Sequence, residues 1–166
     1  MSQTTSVVYG RGFEIADATF GNILQFIANH KSTLYNLNVD DSIIDKAVKL
    51  LEDVDFDDIE DVEDLDEELY DALQALSDND ITWFRLGDIV AFIIATETDI
   101  SFEFSVSQDD CMGEASILLP DLKPWFYSEK EKSLTEEQFD EILKPYISEL
   151  ELDPNSIDNL EIEYYG

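Results

Sequence analysis

Residues 50–84 contain no lysine or arginine, and the twenty residues from Glu52 to Asp71 include thirteen aspartate and glutamate side chains. The whole chain has 166 residues and a formal net charge of −31, from forty acidic and nine basic side chains. Self-repulsion of this size destabilises any compact state. A chain of this kind can fold only if its acidic side chains stay in water while its apolar side chains bury a core.

Apolar residues recur within the acidic stretch at helical spacing. Val62, Leu65, Leu69 and Leu73 follow one another at intervals of three and four, which places side chains on one face of a helix. The pattern predicts an acidic amphipathic helical segment over about residues 40–80, and not a disordered tail. The carboxylates of such a segment are fixed in space, so that a partner can recognise their positions.

Composition predicts a folded chain. Hydrophobic residues make up 44% of the sequence and aromatic residues 11%, whereas disordered acidic tails are poor in both. The length suits a single domain over residues 1–166. With one cysteine, Cys111, no intramolecular disulfide is possible. Because the sequence contains neither an N-terminal leader pattern nor a run of eighteen apolar residues, we expect a cytoplasmic protein.

The first β-strand signals lie in the first and the third quarters of the chain. Residues 6–15 predict a strand in which Gly10 and Gly12 suit a bulge or a bend. A β-meander is predicted over about residues 89–119. Its first strand, 89–95, is almost entirely apolar, as in a strand that is buried on both faces.

A helix near the C-terminus has the clearest local signal. Thr135 and Gln138 form a capping box, and the apolar spacing that follows predicts a helix over about residues 135–150. Pro145 lies inside this pattern and predicts a kink or an early end. A closing strand follows at 160–164. The expected fold class is therefore α+β, a single domain in which an antiparallel sheet of about four to five strands packs against several helices.

Catalytic and metal-binding patterns are poorly represented. His30, the only histidine, is interpreted as a surface residue at the end of a helix. Cys111 stands beside carboxylates, which disfavour a thiolate. The stretch that begins at Asp53 has carboxylates at three places of a calcium-binding EF-hand loop, but Asp58 replaces the required glycine and Asp64 the final glutamate. We expect no catalytic residue, no cofactor and no dedicated metal site, and therefore no enzyme.

The sign of the charge restricts the class of partner. A protein that binds phosphates needs a clustered basic face, which nine scattered basic residues among forty acids do not supply. Direct binding to nucleic acid or to an anionic membrane is therefore not expected. The expected partner is a basic protein, because its association would be steered by the negative field.

Carboxylates on a rigid segment can take the place of DNA phosphates. Residues three or four apart on a helix lie about 5–6 Å apart between Cβ atoms, which is close to the spacing of successive phosphates. In size, charge and folded character the chain is similar in kind to the DNA-mimicking inhibitors with which phages and mobile elements block restriction or CRISPR enzymes. The predicted partner-binding residues are Asp53, Asp55, Asp57, Asp58, Glu60, Asp61, Glu63, Asp64, Asp66, Glu67, Glu68 and Asp71.

Two other functions remain compatible with the sequence. An immunity protein or a secretion chaperone that masks a basic toxin or effector needs a similar acidic face. A halophilic housekeeping protein also has a large negative charge, because charge alone governs solubility and association rather than a specific activity. The sequence leaves the target and the oligomeric state open.

Overall fold

A computed structural model describes residues 5–77, 81, 86–106, 115–121 and 126–165. Within these ranges the chain forms seven α-helices and a four-stranded antiparallel sheet, which confirms the predicted single α+β fold. The strands are β1 (Thr5–Glu14), β2 (Glu103–Val106), β3 (Ala115–Pro120) and β4 (Asp158–Tyr165). The helices are α1 (Phe20–Asn29), α2 (Lys31–Leu34), α3 (Asp41–Glu52), α4 (Glu67–Leu76), α5 (Gly87–Thr98), α6 (Glu129–Ser133) and α7 (Glu136–Glu149).

Helix α5 occupies residues for which the sequence predicted the first strand of a meander, so that part of the prediction is wrong. An apolar run that is buried on every side has no polar face, and periodicity then cannot separate a helix from a buried strand. The helix packs against α1, α2, β2 and β3. Its C-cap residue is Asp99, which has a left-handed φ of 57°. Its buried apolar residues include Ile89, Val90, Ala91, Ile93 and Ile94.

Neighbouring strands run in the order β2-β3-β1-β4. The register along β1 is continuous on both sides, with Gly12 opposite Leu118 of β3 and Asp158 of β4, so the glycines do not form the predicted bulge. Although β2 and β4 are the two outer strands, some of their Cα atoms lie within 8 Å of each other. The sheet is therefore strongly curled.

Close contact between β1 and β3 explains why glycine occupies position 12. A Cβ atom there would lie 1.9 Å from the carbonyl oxygen of Ile117 and 2.6 Å from the Cα of Leu118. Both neighbours are backbone atoms, which cannot move aside independently. Leu118 itself is fully buried, on the sheet face opposite Phe13 and Ile117.

Helix α7 confirms the helix predicted over about residues 135–150 and passes through Pro145 without ending, so of the two effects predicted for Pro145, a kink or an early end, the early end is wrong. The residue is exposed, and the backbone carbonyl that it leaves unpaired can be hydrated, which lowers the usual cost of an internal proline.

The predicted capping box is present, since Thr135 Oγ1 accepts from Gln138 N at 3.1 Å and Gln138 Oε1 accepts from Thr135 N at 3.0 Å. Arg11 of β1 binds Asp140 through two hydrogen bonds of 2.8 and 2.7 Å.

The helices in the described ranges all fall short of the length and apolar character that crossing a bilayer requires.

Replacing Gly12 by alanine should destabilise the fold by about 1–3 kcal/mol or more, because the added methyl group forces the backbones of β1 and β3 apart. Gly87→Ala is the control, since the three atoms nearest to a Cβ there all belong to the side chain of Phe104, the nearest at 2.3 Å, and one side chain shifts at lower cost than two paired backbones. Urea denaturation should show the larger loss for Gly12→Ala. Equal losses would contradict the backbone contact as the cause.

Candidate functional site

The acidic stretch is not one continuous amphipathic helix. Helix α3 ends at Glu52, two 3-10 turns follow at Phe56–Asp58 and Val62–Asp64, and α4 begins at Glu67. Aspartate accounts for the interruption, because its side chain bonds nearby backbone N–H groups and so favours turns and caps over helix interiors. The helical spacing of carboxylates that the sequence suggested therefore applies only to the part of the stretch inside α4.

All twelve predicted partner-binding residues are exposed, and together they form what we call the acidic surface. The apolar residues between them point inward. Val62 is 8% exposed and Leu69 is 5% exposed, and further partly buried residues pack against the same core, namely Val54, Phe56, Ile59 and Leu65. Burial of these side chains holds the acidic surface on the domain despite its repulsion.

Three carboxylates of the acidic surface also stabilise its own turns. Asp55 Oδ1 accepts a hydrogen bond from the backbone N–H of Asp57 at 3.2 Å. Asp64 Oδ2 accepts from the N–H groups of Glu60 and Asp61 at 2.9 and 3.1 Å. Asp61 completes this second cap by accepting from Val62 N at 2.7 Å. These bonds orient the backbone, and the remaining carboxylates extend from a defined scaffold.

Basic side chains leave the acidic surface largely uncompensated. Within the part of the chain that the structure describes, only Lys46 comes within ion-pair distance of one of the twelve residues, at 4.0 Å from Glu68. Both partners are exposed, and an exposed pair of this kind contributes little. The acidic surface therefore presents a dense negative charge that the basic residues in the described ranges do not neutralise.

Gly21 allows the first acidic turn to lie directly against α1. A Cβ atom at this position would lie 2.3 Å from the carbonyl oxygen of Phe56 and 3.1 Å from that of Ile59. No other residue type fits between α1 and this turn without moving the turn's backbone. The position of the acidic surface therefore depends on one glycine outside it.

The described residues contain no group of three or more histidine, cysteine, aspartate or glutamate side chains arranged to hold a metal ion. In the stretch compared with an EF-hand, the carboxylates of Asp55, Asp61 and Asp64 bind backbone N–H groups. Cys111 lies outside the described residues.

An open depression lies where the second acidic turn meets α4. Its volume is about 500 Å³. Exposed carboxylates and less exposed apolar or aromatic side chains line it together, namely Asp61, Val62, Glu63, Leu65, Glu67 and Tyr70. We call it the Tyr70 depression. The apolar helix stripe did not predict this depression, because Tyr70 falls outside the stripe. An aromatic residue beside the stripe was the one sequence signal that pointed to it.

His30 is also placed differently from the sequence interpretation. It does cap the end of α1, but its side chain is only 18% exposed and is held between two carboxylates. Nδ1 lies 2.7 Å from Glu97 of α5, and Nε2 lies 2.8 Å from Glu149 of α7. The imidazole stacks on Phe26 with 4.4 Å between ring centroids. His30 thus joins three helices.

Ionisation is shifted throughout this cluster. Burial tends to lower the pKa of His30, but hydrogen bonds and the charges of Glu149 and Glu97 outweigh it and raise that pKa. Burial tends to raise the pKa of Glu97, yet hydrogen bonds from Thr33, His30 and Tyr146 lower it. Burial, followed by the charge of Glu97, raises the pKa of Tyr146 to about 12. The shifts favour the charged forms of His30 and of Glu97, as expected for an ion pair.

Comparison with protein-family models, with curated proteins and with solved structures gives no match for this chain. The function has to be argued from the acidic surface itself.

Replacing Gly21 by alanine should destabilise the protein by about 1–3 kcal/mol, because the methyl group displaces the turn at Phe56. Helix propensity alone predicts the opposite sign, since alanine is better than glycine inside a helix by about 1 kcal/mol. Urea denaturation measures the balance. Ser42→Ala is a control at an exposed position of α3, where no clash is expected. A Gly21→Ala protein as stable as the control would contradict the contact.

The contribution of His30 to stability should depend on pH. Because its pKa is raised in the folded state, the contribution is complete below the ordinary value of about 6.5 and is lost as the pH rises through the folded-state value. We expect His30→Gln to lower the free energy of unfolding strongly at about pH 5.5 and much less at about pH 9. Urea titrations at both pH values measure this difference.

Lys31→Gln is the matched control for His30→Gln. It also removes a cation near the end of α1, but Lys31 is an exposed lysine that lies 3.8 Å from Glu52. Because an exposed pair of this kind contributes little, its effect should be small at both pH values. A His30→Gln effect that is equally independent of pH would contradict the ion-pair interpretation.

Proposed function

We propose that this chain is an acidic inhibitor that binds the nucleic-acid site of a DNA-binding enzyme and presents carboxylates in place of phosphates. It would act stoichiometrically and without catalysis, as an inhibitor of the anti-restriction or anti-CRISPR type from a phage or mobile element, in the cytoplasm of the host cell. The observation that carries the proposal is an acidic surface whose twelve residues are all exposed on a backbone that the core and the turn caps hold in place.

An ordered acidic surface recognises a partner better than a flexible tail of equal charge. Carboxylates on a fixed backbone form charge-assisted hydrogen bonds with arginine and lysine without the cost of ordering a chain. With Lys46 as its one nearby cation among the described residues, the surface retains its charge for a partner. Its field also accelerates encounter with a basic site, in a manner that salt weakens.

The environment of the only histidine supports a non-enzymatic role. Both ring nitrogens of His30 are engaged by carboxylates, Glu97 and Glu149, which leaves neither nitrogen available as a general base. We propose that the partner is a basic protein and that the chain binds neither nucleic acid nor a membrane directly.

The proposal is tested by competition with duplex DNA. A panel of restriction endonucleases, DNA methyltransferases and CRISPR effector nucleases is incubated with a fluorescent duplex, and displacement by the protein is followed by anisotropy. We expect stoichiometric displacement from at least one enzyme, with mutual exclusion of protein and duplex. A partner that binds the protein and the duplex simultaneously would instead indicate masking of a basic toxin or effector.

Charge reversal tests whether the position of the carboxylates matters. The variant carries Asp53→Lys, Asp57→Lys, Asp58→Lys and Glu60→Lys, four residues of the acidic surface whose carboxylates do not cap its turns. We expect about a hundredfold or greater loss of affinity for the inhibited enzyme, since a hydrogen bond to a charged group contributes about 1.5–3 kcal/mol. Stability should be unchanged or higher, because the net charge becomes smaller.

A matched variant reverses four exposed acids elsewhere, with Asp17→Lys, Glu103→Lys, Glu137→Lys and Glu161→Lys. The two variants have the same net charge and differ only in where the charge is removed. This control variant should keep the affinity of the unmodified protein for the inhibited enzyme. Equal losses in both variants would show that total charge and not the acidic surface governs binding, and unchanged affinity in the first variant would remove the mimicry proposal.

A further inference from the structure

The Tyr70 depression differs chemically from the rest of the acidic surface. Its apolar residues pack in or against the core, as elsewhere in the stretch, but here they also line an open depression about 500 Å³ in volume. Val62 is buried, while Leu65 and Tyr70 are half-buried. The depression therefore combines an apolar floor with a carboxylate rim.

The floor is held in place by the body of the protein. Val62 belongs to the hydrophobic core, and Leu65 and Tyr70 pack against it. The turn that carries Val62 is closed by the cap between Asp61 and Asp64, and Tyr70 lies in the first turns of α4, where its N–H donates to Asp66 O at 2.9 Å. A capped turn and the start of α4, both packed against the core, thus form the walls of the depression.

The rim restricts what the depression can accept. Asp61, Glu63 and Glu67 are exposed, and the described residues include no cation within ion-pair distance of any of them. Their charge repels an anion, and a purely apolar ligand would bury carboxylate surface without compensation. A ligand that satisfies both floor and rim has a cationic head and a body that tolerates apolar contact.

Arginine fits these requirements better than lysine. Its guanidinium group is planar, binds carboxylates with two parallel hydrogen bonds and stacks on aromatic rings, whereas the lysine ammonium is compact and strongly hydrated. Among the described residues, the side chain of Tyr70 has neither a ring contact nor a hydrogen bond, which leaves its ring available for a cation–π contact.

We infer that the Tyr70 depression is the anchoring site for an arginine side chain of the basic partner, whose guanidinium contacts Tyr70 and is bound by Glu63 and Glu67. This inference rests on the proposed function and adds a specificity determinant to it. The acidic surface as a whole steers any basic protein, while the depression selects an arginine at one position.

Hexa-arginine and hexa-lysine peptides serve as probes, because they have equal charge and differ in the cationic head. Binding to the full chain is measured by isothermal titration calorimetry at fixed ionic strength. Since a cation–π contact at an exposed site contributes about 0.5–1 kcal/mol, we expect hexa-arginine to bind about two- to fivefold more tightly. Tyr70→Leu should abolish this preference, and Tyr70→Phe should retain it.

A second variant covers the case in which Tyr70→Leu does not fold. Glu63→Gln combined with Glu67→Gln removes the rim charges at exposed positions and should also abolish the preference for arginine. Glu60→Gln combined with Glu137→Gln removes the same charge outside the depression and should weaken both peptides equally while leaving the preference intact. If both double variants lose the preference for hexa-arginine over hexa-lysine, the anchoring site is overturned.

Equal affinities of the two peptides for the unmodified protein, or a preference that Tyr70→Leu leaves unchanged, would also overturn the anchoring site. Neither result bears on the proposed inhibition of the enzyme, which is tested separately by reversing four acids outside the depression. Conversely, if that reversal leaves inhibition intact, the proposed function fails whatever the peptides show. The two failures are therefore distinguishable.

Discussion

Mutual repulsion among forty carboxylates destabilises the folded state, and the other interactions of this fold have to offset it. The core does so by surrounding the apolar helix α5 with α1, α2, β2 and β3, so that a large apolar area leaves water. The acidic stretch is attached to the same core through its inward side chains, with Val62 and Leu69 buried. Burial therefore allows the charge to be concentrated on one ordered surface.

Local chemistry then determines the shape of the acidic surface. Aspartate carboxylates close its turns, as Asp64 does for the N–H groups of Glu60 and Asp61, and the missing side chain of Gly21 lets the first turn contact α1. Elsewhere the protein uses its few cations between elements, with Arg11 joining β1 to α7 and His30 joining three helices. These two cations thus help to hold the domain together, and Lys46 is the one cation near the acidic surface among the described residues.

Much of the fold class was predictable because local signals agreed with the final packing. The capping box at Thr135 marked the start of α7, and alternation marked β4. Helix α5 was mistaken for a strand because residues that are buried on all sides have no polar face from which a period can be read. Pro145 was expected to kink α7 or to end it early, and its exposed position made it tolerable within the helix.

The amino-acid sequence was enough to indicate that the chain folds and that the acids from Asp53 to Asp71 face solvent, because composition and apolar spacing are properties of the chain alone. Tertiary structure alone decided that these acids lie on two capped turns and the start of α4, that Tyr70 and Val62 line one depression, and that His30 meets Glu97 and Glu149. The reason is physical, since contacts between residues far apart in sequence depend on how the elements pack, and packing leaves no local pattern in the chain.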